Sequence, residues 1–108
     1  MSKDFSAGSK GLYLSSEGDA MDSIANSGGA ILYAPADYDH QLLDLSNRRL
    51  GAILQKFVNY STRVAFVLPP DLAVSQSCQD LIREHQSHPF IRFMASQADA
   101  LSWLQTKQ

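Results

Sequence analysis

Leu50-Gly-Ala-Ile-Leu-Gln-Lys-Phe-Val-Asn-Tyr60, followed almost at once by Arg63-Val-Ala-Phe-Val-Leu68, decides how this chain folds. Leu50, Ile53, Leu54 and Phe57 recur at the i, i+3, i+4, i+7 spacing that places apolar side chains on one face of a helix, and Val58 widens that stripe. The second run is rich in β-branched and aromatic residues and stops at Pro69-Pro70, which predicts a buried strand. A helix leading straight into a buried strand is half of an α/β unit.

Outward from that pair, the same alternation repeats. Leu12-Tyr-Leu14 reads as a short strand, and Ser16-Glu-Gly-Asp19 has the spacing of a capping box that opens a helix through about Asn26. Gly28-Gly29 stops it. Ala30-Ile-Leu-Tyr-Ala34 is a continuous apolar run, as expected of a strand covered on both faces, and Pro35 ends it. From Pro35 to Asn47 the chain turns polar and irregular, and Ser46 or Asn47 is placed to cap the next helix. After the Pro69-Pro70-Asp71 turn, a helix from roughly Ala73 to His85 sets Val74, Cys78, Leu81 and Ile82 along one side. Phe90-Ile-Arg-Phe-Met94 is the next strand. Ser96-Gln-Ala-Asp99 is a second capping-box spacing, opening a helix whose Ala100, Leu101 and Leu104 face the sheet with Trp103 beside them. Strands alternating with helices run parallel with right-handed crossovers, so the reading is an α/β fold with a four- to five-stranded, mostly parallel sheet and helices packed on it.

Composition limits the functional classes. The 108 residues suit one domain, expected over residues 11–106, with residues 1–10 read as a frayed tail poor in apolar anchors. A hydrophobic fraction of 44% and a charged fraction of 19% are those of an ordinary globular protein. A formal net charge of -2 supplies no basic field to gather nucleic acid, so no nucleic-acid partner is expected. No window approaches a membrane span and Met1 to Lys10 lacks the apolar centre of a signal peptide, which together predict no membrane insertion and a cytoplasmic location. Cys78 stands alone, so an internal disulfide is ruled out and a buried, inert thiol is expected.

The chemistry-bearing residues form no recognised constellation. Asp37, Asp39, His40 and Asp44 share one loop but lack the glycine turn and closing glutamate of a calcium loop. His85 and His88 have no cysteine or second histidine pair to complete a zinc set. Serines and the cysteine are scattered without a nucleophile frame, and Gly28-Gly29 precedes a strand rather than joining one to a helix. Catalytic residues, a metal and a cofactor are therefore not expected. Gln55, Lys56 and Asn59 lie off the apolar stripe of the central helix, and with Ser46, Asn47, Arg48, Arg49 and Ala52 they form the candidate binding patch. Its two arginines suit a carboxylate or phosphate.

Gln55-Lys-Phe-Val-Asn-Tyr60, with Leu45, Gly51 and Ile53-Leu54 before it and Ser75 and Asp80-Leu-Ile-Arg-Glu84 after it, resembles a bacterial family known only as domain-of-unknown-function family 4180. The chain departs from that family's usual pattern at Arg48, where glycine is the family's residue, and at Ala52, where it is glutamate. It departs again near Leu68-Pro69, where the family has a Gly-Asp pair, and near Gln86, where it has asparagine. Leu50-Gly-Ala-Ile-Leu54, and Phe90-Ile-Arg-Phe93 followed by Ser96 to Leu104, are in turn similar to STAS domains, the anti-sigma-factor-antagonist class, in element order as well as in sequence. That resemblance implies a regulatory module that binds a protein partner through the loop before this helix. In STAS domains the loop carries a phosphorylated serine; here Arg48 takes that position with Ser46 beside it, which implies that the phosphoswitch is lost. The expected function is thus a non-catalytic module docking an unidentified protein through residues 44–49 and the following helix. The alternative is small-molecule binding or catalysis in the crevice at the carboxyl ends of the strands, walled by Pro35 to Asp39 and Pro69 to Asp71.

Overall fold

The computed structural model describes residues 6–7, 13–26, 29–44 and 48–105. Three strands form the body of a parallel sheet: β2 (Ala30–Tyr33), β3 (Arg63–Val67) and β4 (Ile91–Met94), with β3 in the middle. A two-residue strand, β1 (Ser6–Ala7), pairs with Ile31 and Leu32 on the far side of β2. The helices are α1 (Glu17–Ala25), α2 (Arg49–Asn59), the single turn α3 (Pro70–Ala73), α4 (Gln76–His85) and α5 (Gln97–Gln105).

The register explains the core. Ile31, Val64 and Ile91 stand in one row across the strands and Tyr33, Phe66 and Phe93 in the next row on the same face. Phe66 stacks between Tyr33 at 5.3 Å and Phe93 at 5.0 Å. On this face lie Ala20 of α1, Leu50, Ile53 and Phe57 of α2, and Cys78 and Leu81 of α4. Strands that follow one another in chain order, joined by crossovers of one hand, keep their helices on one side. The opposite face, with Leu32, Ala65 and Val67, is covered by Ala100, Trp103 and Leu104 of α5. Both capping-box serines act as read: Ser16 Oγ accepts from Asp19 N–H at 3.2 Å and Ser96 Oγ from Asp99 N–H at 3.3 Å.

The structure corrects four expectations. Of the run centred on Tyr13, the described Tyr13 and Leu14 are not part of a strand of the sheet: Leu14 forms an isolated parallel bridge with Tyr38, and Tyr13 is exposed. The sheet partner of β2 lies instead inside the stretch read as a tail. The helix expected over Ala73 to His85 is broken, because Ser75 leaves the helical conformation and its hydroxyl caps Cys78 N–H at 3.2 Å. Val74 is consequently exposed at 72% rather than part of the apolar stripe. The cap of α2 falls on Arg48, while Ser46 and Asn47 lie outside the described residues.

Candidate functional site

In a parallel sheet each crossover leaves the carboxyl end of a strand, so the segments entering α2, α4 and α5 gather at that edge. The polar stretch after β2 is held there as two 3-10 turns, Pro35–Asp37 and His40–Leu43, anchored by buried Leu42 and Leu43. Its acids are occupied. Asp37 accepts from Ala34 N–H at 2.9 Å; Asp39 accepts from Gln41 N–H at 2.9 Å and pairs with Arg49 at 3.4 Å; His40 bonds Pro35 O. Among the described residues no three His, Cys, Asp or Glu side chains gather as a metal-binding group.

Of the eight candidate patch residues, six are described and they separate into two groups. Arg49 is half-buried: its guanidinium donates to Ser15 O and reaches Asp39, tying the start of α2 to the entry of α1. Lys56 is paired with Glu17 of α1 at 3.6 Å. These two contacts tie α2 to α1, which corrects the expectation that both side chains are freely exposed. Arg48, Ala52, Gln55 and Asn59 are exposed, and Gln55 Nε2 donates to Asn59 Oδ1 across one helical turn at 2.9 Å.

The first turn of α2 is built unusually. Arg48 has φ 60°, the left-handed conformation that favours glycine, and its side chain makes no capping bond. Gly51, one turn on, is exposed, and a Cβ there would meet no atom within 4 Å. Between α2 and α4 a groove of about 360 Å³ runs over Leu50, Gly51, Leu54 and Leu81, with Arg48 on one wall and Glu84 on the other. Sequence reasoning selected Arg48 and Ala52 but missed Glu84 and the groove, which arise only when α2 and α4 are set side by side on the sheet.

The crevice reading finds less. A cleft of about 410 Å³ lies against Ser15, Ser16, Glu17, Arg49 and Ile53, and another of about 420 Å³ runs from Pro35 to Gln41 past Tyr13. Both are open to solvent, and Pro69 to Asp71 line neither. Partial burial works to raise the Asp19 carboxyl, but bonds from Ser15 N–H, Ser15 Oγ and Ser16 outweigh it and hold that group below the usual aspartate value. Asp19 is thus a stable anion, unsuited to general acid work near neutral pH. Burial pushes the Tyr33 phenol up to about 12 and the Tyr38 phenol higher still, and Tyr38 is committed to Val67 O at 2.9 Å. Cys78 is buried.

A family model described as a domain of unknown function, DUF4180, matches residues 5–104. The chain belongs to this family. We found no match among curated proteins or among solved structures. In this DUF4180 chain the left-handed backbone at Arg48 carries a steric cost that glycine would not. The DUF4180 match begins just before β1 and ends within α5, so it takes in both layers of the fold. No helix among the described residues is long and apolar enough to cross a membrane.

Proposed function

We propose that this chain is a non-catalytic, STAS-like regulatory module of the cytoplasm that docks a protein partner through Arg48, the loop before it and the exposed side of α2. One observation carries the reading: the first turn of α2 gives up stability at three points, and no contact among the described residues offsets it. A non-glycine residue in the left-handed region costs roughly 1–2 kcal/mol. A helix start without a side-chain cap forgoes about 1 kcal/mol. Glycine in a helix costs close to 1 kcal/mol relative to alanine, and here nothing near its Cβ position demands it. Local rules broken together in one exposed place are the mark of a surface kept for function. The opposite face of the same helix, with Leu50, Ile53 and Phe57, is packed by the ordinary rules.

Docking is also better supported than small-molecule binding because the clefts at the carboxyl edge are open and their charged groups are already paired. The decisive comparison is capture from native cells by the intact chain and by Arg48→Glu. Arg48 is exposed, its side chain makes no capping bond and the ion pairs among the described residues do not use it, so the variant is expected to fold. A partner bound by the wild type and lost with Arg48→Glu supports the reading; equal recovery of every partner by both chains overturns it.

A further inference from the structure

We propose that the partner of this surface is a second copy of the chain, packed two-fold across the groove between α2 and α4 so that Arg48 of each copy meets Glu84 of the other. The inference rests on the docking reading of Arg48 and names its partner. A two-fold interface presents one patch to itself, so the patch must carry both signs of charge on opposite sides of the axis. This groove does so. Arg48, at the cap of α2, and Glu84, near the end of α4, flank a lining of Leu50, Gly51, Leu54 and Leu81; His85 also lines it, with its Nδ1 bonded to Leu81 O within its own helix. Both charges are exposed, and the ion pairs among the described residues, Arg49–Asp39, Lys56–Glu17 and Arg83–Asp80, use neither of them. A partner recognised through one sign of charge, such as an acidic peptide, would be attracted by Arg48 and repelled by Glu84; a second copy satisfies both.

Gly51 adds a steric reason. It lines the groove, and a Cβ there would meet nothing within 4 Å beyond its chain neighbours and its own helix backbone. Two α2 helices crossing at this point come as close as helix packing allows.

The test is a sedimentation or light-scattering series on the intact chain at low salt, across micromolar to millimolar concentration. The wild type is expected to dimerise reversibly. Arg48→Glu and Glu84→Arg should each weaken dimerisation about tenfold or more, because each breaks two symmetry-related ion pairs. The combined reversal, Arg48→Glu with Glu84→Arg, should restore it. Gly51→Leu should weaken association while its melting temperature holds or rises, since leucine is the better helix former. A dimer indifferent to both single reversals, or a combined reversal no stronger than the singles, overturns the proposed arrangement. A wild-type chain that stays monomeric throughout overturns self-association alone; the docking reading is then decided separately by the native-cell comparison at Arg48.

Discussion

At the scale of single residues, two adjacent arginines do opposite things because the backbone turns between them. Arg48 is held at φ 60° with its side chain in solvent, whereas Arg49 begins the helix and reaches back to Ser15 O and Asp39. Replacing Arg48 by glycine should raise stability by about 1 kcal/mol, since the left-handed conformation then carries no side-chain clash. Arg49→Glu should lower stability. It removes the bond to Ser15 and sets a carboxylate beside Asp39, although a half-exposed pair in solvent contributes only modestly on its own. Chemical denaturation of the two variants checks this, and a loss of stability in Arg48→Gly would mean that the arginine side chain contributes to the fold. Charge and hydrophobic pattern do not separate the two residues. Both are positive and both precede the apolar stripe, so the division of labour became visible only when the 3-10 turns placed Asp39 next to one and not the other.

At the scale of elements, the turn before β4 depends on a protonation state. His88 Nδ1 accepts from Phe90 N–H at 3.0 Å and Ile91 N–H at 3.1 Å, which fixes the chain's entry into the strand. An imidazole accepting at Nδ1 is neutral, and partial burial, then the nearby His85 and Arg92, hold His88 below the ordinary histidine value of 6.5. A group whose folded value is depressed binds fewer protons folded than unfolded. Stability is therefore full above the unfolded value and falls as pH drops through the folded one. His88→Asn offers Oδ1 in nearly the same place and does not titrate. Melting temperatures followed from roughly pH 8 to pH 5 should fall less steeply for His88→Asn than for the wild type. Parallel curves would show that His88 does not control this turn. Such a role was not legible in the spacing of His85 and His88, which read as a solvent-facing helix end where a positive imidazole would suit the helix dipole. The stripe of α2 and the serine caps at Ser16 and Ser96 were legible because they rest on residues close together along one helix. The break at Ser75 was not, since Val74, Cys78, Leu81 and Ile82 keep a helical period across a serine whose hydroxyl can end one helix and start another.

At the scale of the whole molecule, the question is whether two unequal layers behave as one. The larger core joins α1, α2 and α4 to the sheet, while among the described residues α5 covers the other face. What binds them is the alternation along β3. Val64 and Phe66 serve the larger core, and Ala65 and Val67, the residues between and beyond them, serve α5. Arg63, also on β3, donates to Trp103 O and Leu104 O at the negative end of α5, and both Arg63 and Arg92 lie over the Trp103 ring, at 4.5 and 4.9 Å. Loss of α5 would expose one side of the strands on which the other helices rest, so neither layer should melt alone. Trp103 is the only tryptophan in the chain, which makes its fluorescence a report on the α5 layer, while far-UV circular dichroism is weighted toward the three helices opposite, α1, α2 and α4. In urea the two signals should give one midpoint and one slope, the behaviour of a cooperative small domain. A fluorescence transition that precedes the dichroism change would mean that α5 detaches first, and that the alternating side chains of β3 do not couple the two faces of the sheet.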